Sequence, residues 1–420
     1  MHMGSIIRYY RTKLGIKQYE LAGDVCSPAH LCKIENNPNE GNDETINLLL
    51  EKLGIDLEKE LQKESNLKYT YEEFVNNIRF VNIDQAQRQF NTLKNNQVFI
   101  ELMEFHNHYQ IMLIPFYIIT EQFKELEDQR NLCNKISKSF NKDESILFEM
   151  VKGLYYIHKS NYRKAKIILL DTFKKVNVAN VPYRGDMDYA LALCYYNLNE
   201  YERALNSTIF AYRYYQNEDN FQKIGYCLAV LADSYKNLNL KEEAEITYKK
   251  LIRTSEMLGN NKLLNKALYE YGLLQKNKVI LEETLTLFDL SLEKNNCDVS
   301  IQLELILSKI DLMMKNNINK DKIQKYIQYI KKLSVQIEDR TYYFLALYYE
   351  YKIEKPSQVN HFIENKLIPF LEKSDCSSKL IIYYKELADH YESIDLKKSL
   401  YYLKKCMHKN NEYSNLAHII

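Results

Sequence analysis

Tryptophan is absent from this chain of 420 residues, and glycine (10) and proline (6) are scarce. So few chain breakers over such a length leave little room for turns and favour an all-α protein. There is no excess of either charge: 57 Lys and Arg against 56 Asp and Glu leave a net +1, so bulk electrostatics make no case for nucleic acid. No two of the eight cysteines form a C-x-x-C pair, and most fall inside helical patterns, as expected of reduced, buried thiols in a cytoplasmic protein. The longest apolar run, Ile111–Ile119, is too short to span a bilayer and contains Pro115; with no secretory signal, no membrane partner is expected. Gly-rich phosphate loops, H-E-x-x-H and G-x-S-x-G are also missing. His106 and His108 are two apart, which sends their rings to different helix faces. The expectation is therefore no enzyme, no catalytic residue, no cofactor and no metal.

What is present is a basic start. Residues 1–19 carry Arg8, Arg11, Lys13 and Lys17 with no acid. Ile6, Ile7, Tyr10 and Leu14 mark one face of a first helix that Gly15 ends. Gln18 to Val25 predict a second helix with Leu21, Ala22 and Val25 inward, and Cys26 sits in the turn. Ser27 has the position of an N-cap and Pro28 that of the first helical residue, where its missing N–H costs nothing. Ala29 to Asn36 continue a third helix with Leu31 and Ile34 buried, stopped by Asn36-Asn37-Pro38-Asn39. A fourth helix starts at Asp43 or Glu44 and runs to Leu53-Gly54; a fifth starts at Ile55-Asp56-Leu57.

Over about 55 residues this plan resembles the five-helix Xre-type helix-turn-helix repressors. The residues that carry the resemblance are Gly15-Ile16-Lys17-Gln18, Glu20-Leu21-Ala22, Leu31-Cys32-Lys33-Ile34-Glu35-Asn36 and Leu53-Gly54-Ile55. The turn is one residue shorter than the common spacing. In this respect Val25-Cys26-Ser27 followed by His30-Leu31-Cys32-Lys33 is similar to the RRNPP peptide-pheromone receptors (Rap, Rgg, NprR, PlcR and PrgX). In a helix-turn-helix the second helix enters the major groove by its N-terminal end. Here that end is Ser27, Pro28, Ala29 and His30, with Lys33 one turn on. The resemblance gives Gln18 a bridging role between a phosphate and the recognition helix. Arg11, Lys17 and Tyr19, with Arg8, are candidate backbone contacts. Glu35 is expected to be structural, paired with a base in the first helix.

Beyond residue 66 the chain repeats. Small–x2–Tyr recurs in first helices (Gly153…Tyr156, Ala192…Tyr195, Ala232…Tyr235, with a weaker unit at Gly272), and small residues recur in second helices at Ala165, Ala204, Ala244 and Thr284, spaced 39, 40 and 40. This resembles a lengthened tetratricopeptide repeat, in which small residues let paired helices touch. Extrapolation gives eight to nine helix pairs in a right-handed superhelical solenoid. The expected domains are 1–60 for DNA binding, 61–75 as a helical linker and 76–420 as the solenoid.

Asn197, Asn237, Asn277 and Asn316 recur at spacings of 40, 40 and 39, each near the end of a first helix. If first helices line the concave face, these amides form a ladder able to hold a peptide backbone, as the resemblance also implies. Tyr196, Tyr226 and Tyr269 on the same face would form side-chain pockets, Lys236 and Lys276 would meet acidic groups, and Asp233 a basic one. The resemblance implies a quorum-sensing transcription regulator, active as a homodimer on double-stranded DNA at an inverted-repeat operator and switched by a short linear signalling peptide. The other reading is a Rap-like partner of a response regulator with a vestigial first domain. In it, Gln85, Gln87 and Gln89 near Asp84 are candidates for the acid-and-amide constellation.

Overall fold

The computed structural model describes residues 3–37, 40–175, 183–275, 278–294, 299–336, 340–373 and 377–413. The described residues are helical with no strand, and they divide into two compact units, Met1–Val151 and Lys152–Ile420.

The first unit opens with α1 (Met3–Lys13), α2 (Gln18–Ala22), α3 (Pro28–Asn36) and α4 (Asp43–Lys52). Their inward faces meet in one core of Ile6, Ile7, Leu21, Ala22, Leu31, Ile34, Leu49, Leu50 and Leu53, flanked by Tyr10, Val25 and Leu57. Two details differ from the periodicity. Leu14 is 56% exposed because α1 stops at Lys13 and Gly15 turns the chain at φ +72°, which takes Leu14 off the helical face. The second helix ends at Ala22 rather than Val25, since Gly23 adopts φ +42°. A Cβ at Gly23 would lie 2.8 Å from the Lys52 amine, which pairs with Asp24.

From Asp56, which caps it through Lys59 N–H, α5 (Leu57–Arg79) runs unbroken through 61–75. It pairs with α6 (Ile83–Asn95); after the short α7 (Gln97–Ile100) come α8 (His106–Ile119), α9 (Phe123–Ile136) and α10 (Lys142–His158). The apolar run on α8 is buried on all sides, which is why it carries no amphipathic stripe. Among the described residues no helix is long and apolar enough to cross a membrane.

The second unit takes in the end of α10 and continues through α11 (Tyr162–Lys175), α12 (Arg184–Asn197), α13 (Tyr201–Asn217), α14 (Phe221–Asn237), α15 (Lys241–Leu258), α16 (Asn261–Leu274), α17 (Lys278–Lys294), α18 (Val299–Lys315) and α19 (Lys320–Gln336). It ends with α20 (Arg340–Glu354), α21 (Val359–Phe362), a π-helical turn at Ile363–Leu367, α22 (Ile368–Lys373), α23 (Ser377–Tyr391) and α24 (Leu396–Tyr413). Consecutive helices pair as the repeat predicts, and Ala165, Ala204, Ala244 and Thr284 are all buried in the second helices of their pairs. Close approach is visible at the glycines: a Cβ on Gly153 would meet Leu169 Cδ2 at 2.5 Å, and one on Gly272 would meet Leu312 Cδ2 at 2.5 Å. Asparagine does much of the punctuation. Asn161, Asn220, Asn260 and Asn319 accept the N–H three residues on at helix starts. Asn199, Asn239 and Asn317 turn the chain between paired helices at φ +61°, +60° and +54°.

Candidate functional site

At the start of α3, Ser27 Oγ accepts the His30 N–H at 3.2 Å and Pro28 occupies the first helical position. Ser27, Pro28 and Ala29 are exposed, His30 is half-buried, and Lys33 is exposed one turn on. The opposite end of α3 is braced against α1 and α2. Glu35, 3% exposed, accepts from Arg11 Nε at 2.6 Å and Nη2 at 2.9 Å, and from Gln18 Nε2 at 2.7 Å. Arg11 Nη1 adds the Ile16 carbonyl at 2.9 Å. One carboxylate thus joins α1, α2 and α3, and its hydrogen bonds raise the Arg11 pKa further. Arg11 and Gln18, expected as DNA contacts, are both engaged inside the fold; three of the guanidinium's five N–H groups are taken.

The remaining cations differ. Lys17 caps α2, its backbone N–H donating to Glu20 Oε2 at 2.8 Å, while its amine lies 5.9 Å from the centre of the Tyr19 ring. Tyr19 is 59% exposed and donates to Glu20. Arg8 is exposed and reaches Asn36 Oδ1 at 2.9 Å.

In the second unit, the described ladder asparagines share one geometry. Asn197, Asn237 and Asn316 donate Nδ2 to the carbonyls of Leu193, Asp233 and Leu312, four residues back, at 2.8, 2.7 and 2.9 Å. One amide hydrogen of each therefore closes the end of its own helix. Asn237 also lies by the Tyr196 hydroxyl. Asn277 and Lys276 lie outside the described residues. Asp233 is buried and accepts from Tyr248 at 2.5 Å, with Lys266 at 2.9 Å. Burial alone would raise its pKa, but Lys266, Tyr248 and Lys236 outweigh burial and hold it below the usual carboxylate range. Lys236 meets Glu270 at 2.7 Å, and Tyr226 is buried beside Asn260. The stretch of first helices that the sequence singled out is thus latched by its own ion pairs.

The open concavity lies further along. Among the described residues, a cavity of about 530 Å³ is lined by first helices: Asn265 and Tyr269 from α16, Glu304 and Asp311 from α18, Leu345 and Tyr349 from α20, and Lys379 and Tyr383 from α23. Only Tyr269 among these was singled out from sequence; it donates to Asp311 Oδ2 at 2.7 Å. Leu307, Leu345 and Tyr383 follow Tyr269 at intervals of 38, so the period shortens from the 39 to 40 residues of the earlier repeats. Of the glutamines in α6, Gln89 accepts from Asn77 and Gln87 bonds Asn91 and Gln122, while Gln85 and Asp84 are exposed.

No family model matches the chain. Over 392 residues it is 22% identical to the transcriptional activator NprA of Geobacillus stearothermophilus, covering 89% of this chain and 94% of that protein. The apo form of the quorum sensor NprR from B. thuringiensis matches with a TM-score of 0.57 at 19% identity, over 82% of this chain and 99% of that one. Apo RapI matches equally, with a TM-score of 0.57 at 14% identity over 84% and 99%. A Rap protein complexed with competence and sporulation factor matches at 0.54 and 14% identity over 83% and 99%. The fold is that of these all-helical proteins.

Proposed function

We propose that this chain, a relative of the RRNPP peptide-pheromone receptors, is a transcription regulator that reads double-stranded DNA through α3 and is switched by a short linear peptide held among the first helices of its second unit. The similarity to a transcriptional activator along nearly the whole of both chains carries this reading. Support comes from the exposed, capped start of α3, with Ser27, Pro28, Ala29 and Lys33 exposed and His30 half-buried, together with the NprR and Rap fold. Ala29 suits a thymine methyl and Lys33 a guanine or phosphate; Pro28-Ala29 lacks the Arg or Gln forks of strong base discrimination, so shape and half-site spacing share in specificity. One short recognition helix gives too little affinity alone, and a two-fold homodimer on an inverted repeat supplies the rest. The peptide acts by binding one arrangement of the repeats better than another, which shifts the pairing of the DNA-reading helices.

The experiment is selection of sheared genomic DNA by the purified chain at two salt concentrations, with and without a peptide extract. Enrichment of a few inverted repeats that survives moderate salt is expected. Uniform enrichment that vanishes with salt, with or without extract, reflects phosphate attraction alone and overturns the reading. The RapI likeness favours a second reading, in which the repeats capture a response regulator and α1–α4 are vestigial. In that case Lys33→Ala leaves the output unchanged.

A further inference from the structure

The four helices that carry the reading end meet the rest of their unit along one side of α1. Tyr10, which flanks their core, donates its hydroxyl to Glu60 Oε1 on α5 at 2.8 Å. Glu60 Oε2 is shielded from solvent with no hydrogen-bond donor. A carboxylate held from water with so few donors makes each one costly to lose, so this bond resists breaking. Little else fixes the joint. From Gly54 to Asn66 no residue is buried, and anchoring resumes at Leu67. Arg8, Tyr9 and Lys13 on α1 line a cavity of about 470 Å³ with Val98, Glu101 and Leu102, so packing against α7 does not set the distance there. The Lys63 amine, 4.2 Å from the centre of the Phe99 ring, ties α5 to α7 and not to α1. This side of α1 lies away from the reading end: Arg8 bonds Asn36, the last residue of α3, about 12 Å along that helix from Pro28. Beyond the joint, α5 has no glycine or proline over Leu57–Arg79 and is anchored by Leu67, Tyr71, Phe74 and Ile78. A helix without breakers turns as one piece, so the contact that sets the angle of α1 on its first turns sets that angle for the whole unit.

Resting on the DNA-reading proposal above, we propose that the Tyr10–Glu60 bond fixes the angle of the reading helices on α5, and through it the half-site spacing that a homodimer accepts. Tyr10 and Glu60 are positioning residues: they select among operators by spacing and not by base. Two rigidly held readers can enter successive major grooves only at the separation that their angle allows, whereas loosely held ones follow the half-sites when these are moved.

The test takes the inverted repeat enriched in the genomic selection and measures the affinity of the full-length chain for duplexes in which its half-sites are moved apart base pair by base pair. The wild type should lose about tenfold at a shift of about 2 base pairs, which turns one half-site by about 70° around the duplex. Tyr10→Phe, which removes one hydroxyl, should lose about threefold or less at the same shift, and Glu60→Ala likewise. The double variant Tyr10→Phe/Glu60→Ala should discriminate no less than either single, because one bond accounts for both. Affinity for a lone half-site, and its dependence on salt, should match the wild type in all three variants, which shows the reader to be folded and its DNA contacts intact. Spacing discrimination in Tyr10→Phe equal to that of the wild type, or a wild type indifferent to spacing, would overturn the proposal and leave the DNA reading standing. A loss of lone half-site affinity in Tyr10→Phe would place Tyr10 in the reader itself and overturn the positioning role. Failure of the selection to enrich any half-site would overturn the DNA reading and this proposal with it.

Discussion

Arg11 on α1 holds Glu35 on α3 by two parallel hydrogen bonds, Nε to Oε1 at 2.6 Å and Nη2 to Oε2 at 2.9 Å, with Gln18 of α2 on the second oxygen. Both partners are largely out of water, the side chains being 14% and 1% exposed. Removing one partner of such a pair leaves an uncompensated charge, which costs about 3 kcal/mol or more. Glu35→Ala is therefore expected to lower the protection of α1 and α3 amides against hydrogen exchange in the full chain by that order. The double variant Arg11→Met/Glu35→Leu should lose less than the two singles summed. If Arg11 served DNA alone, Arg11→Met would weaken DNA binding and leave exchange unchanged.

Lys33 and Ser27 separate charge from architecture. Lys33 is exposed on α3, and Ser27 caps that helix through the His30 N–H. Lys33→Ala should weaken binding to specific and non-specific DNA alike and reduce the slope of log affinity against log salt by about 1. Ser27→Ala should leave the slope unchanged and cost about 1 kcal/mol in helix stability. Titrations at four or more salt concentrations check both; equal slopes for wild type and Lys33→Ala would remove Lys33 from the phosphate contacts.

The all-α class, the five-helix opening and the 40-residue pairing could be read from sequence because each rests on local patterning. Ala165, Ala204 and Ala244 are fully buried in the second helices of their pairs, with Thr284 at the equivalent place in the next. Leu14 was misjudged because periodicity carries no information on where a helix stops; one glycine at positive φ decided it. The asparagine ladder was legible as a recurrence, but not its local use, since donation to the carbonyl four residues back depends on side-chain rotamers. The cavity was illegible for a different reason. Its walls recur at a 38-residue interval (Tyr269, Leu307, Leu345, Tyr383), shorter than the 39 to 40 of the clear repeats, and which charges meet across it, Glu304 with Lys379, is decided by tertiary packing.

His106 and His108 on α8 make the first unit sensitive to acid. Burial holds both pKa values below 6.5, against weaker opposing pulls from Glu144 and, for His106, Glu101. His108 Nδ1 bonds the Tyr71 hydroxyl, and Tyr71 stacks on Phe105 at 4.2 Å between ring centres. Because the folded values are depressed, the unfolded chain takes up protons first. The stability these histidines contribute is complete above pH 6.5 and is lost as pH falls through the depressed values. Exchange of α5 and α8 amides, corrected for intrinsic rates, should accelerate between pH 7.5 and 5.5. His106→Gln/His108→Gln should flatten that dependence, whereas an unchanged profile would assign the acid sensitivity to carboxylates.

Gly153 on α10 tests the claim that small residues set the spacing of paired helices. A Cβ there would stand 2.5 Å from Leu169 Cδ2 and 2.6 Å from Cγ on α11, and Leu169 is fully buried. Gly153→Ala gains helix propensity worth about 1 kcal/mol, so an exposed glycine would become more stable on substitution. Here overpacking of about 1–3 kcal/mol opposes and outweighs it. Leu169→Ala alone opens a cavity costing about 2–5 kcal/mol. In the double variant the new methyl enters the space that Leu169 vacates, so the combined loss should fall below the sum of the singles, with coupling of at least about 1 kcal/mol. Hydrogen exchange in α10 and α11 measures all three variants. Additive losses would mean that α10 and α11 separate to admit the methyl, and that the spacing is not set by the glycine.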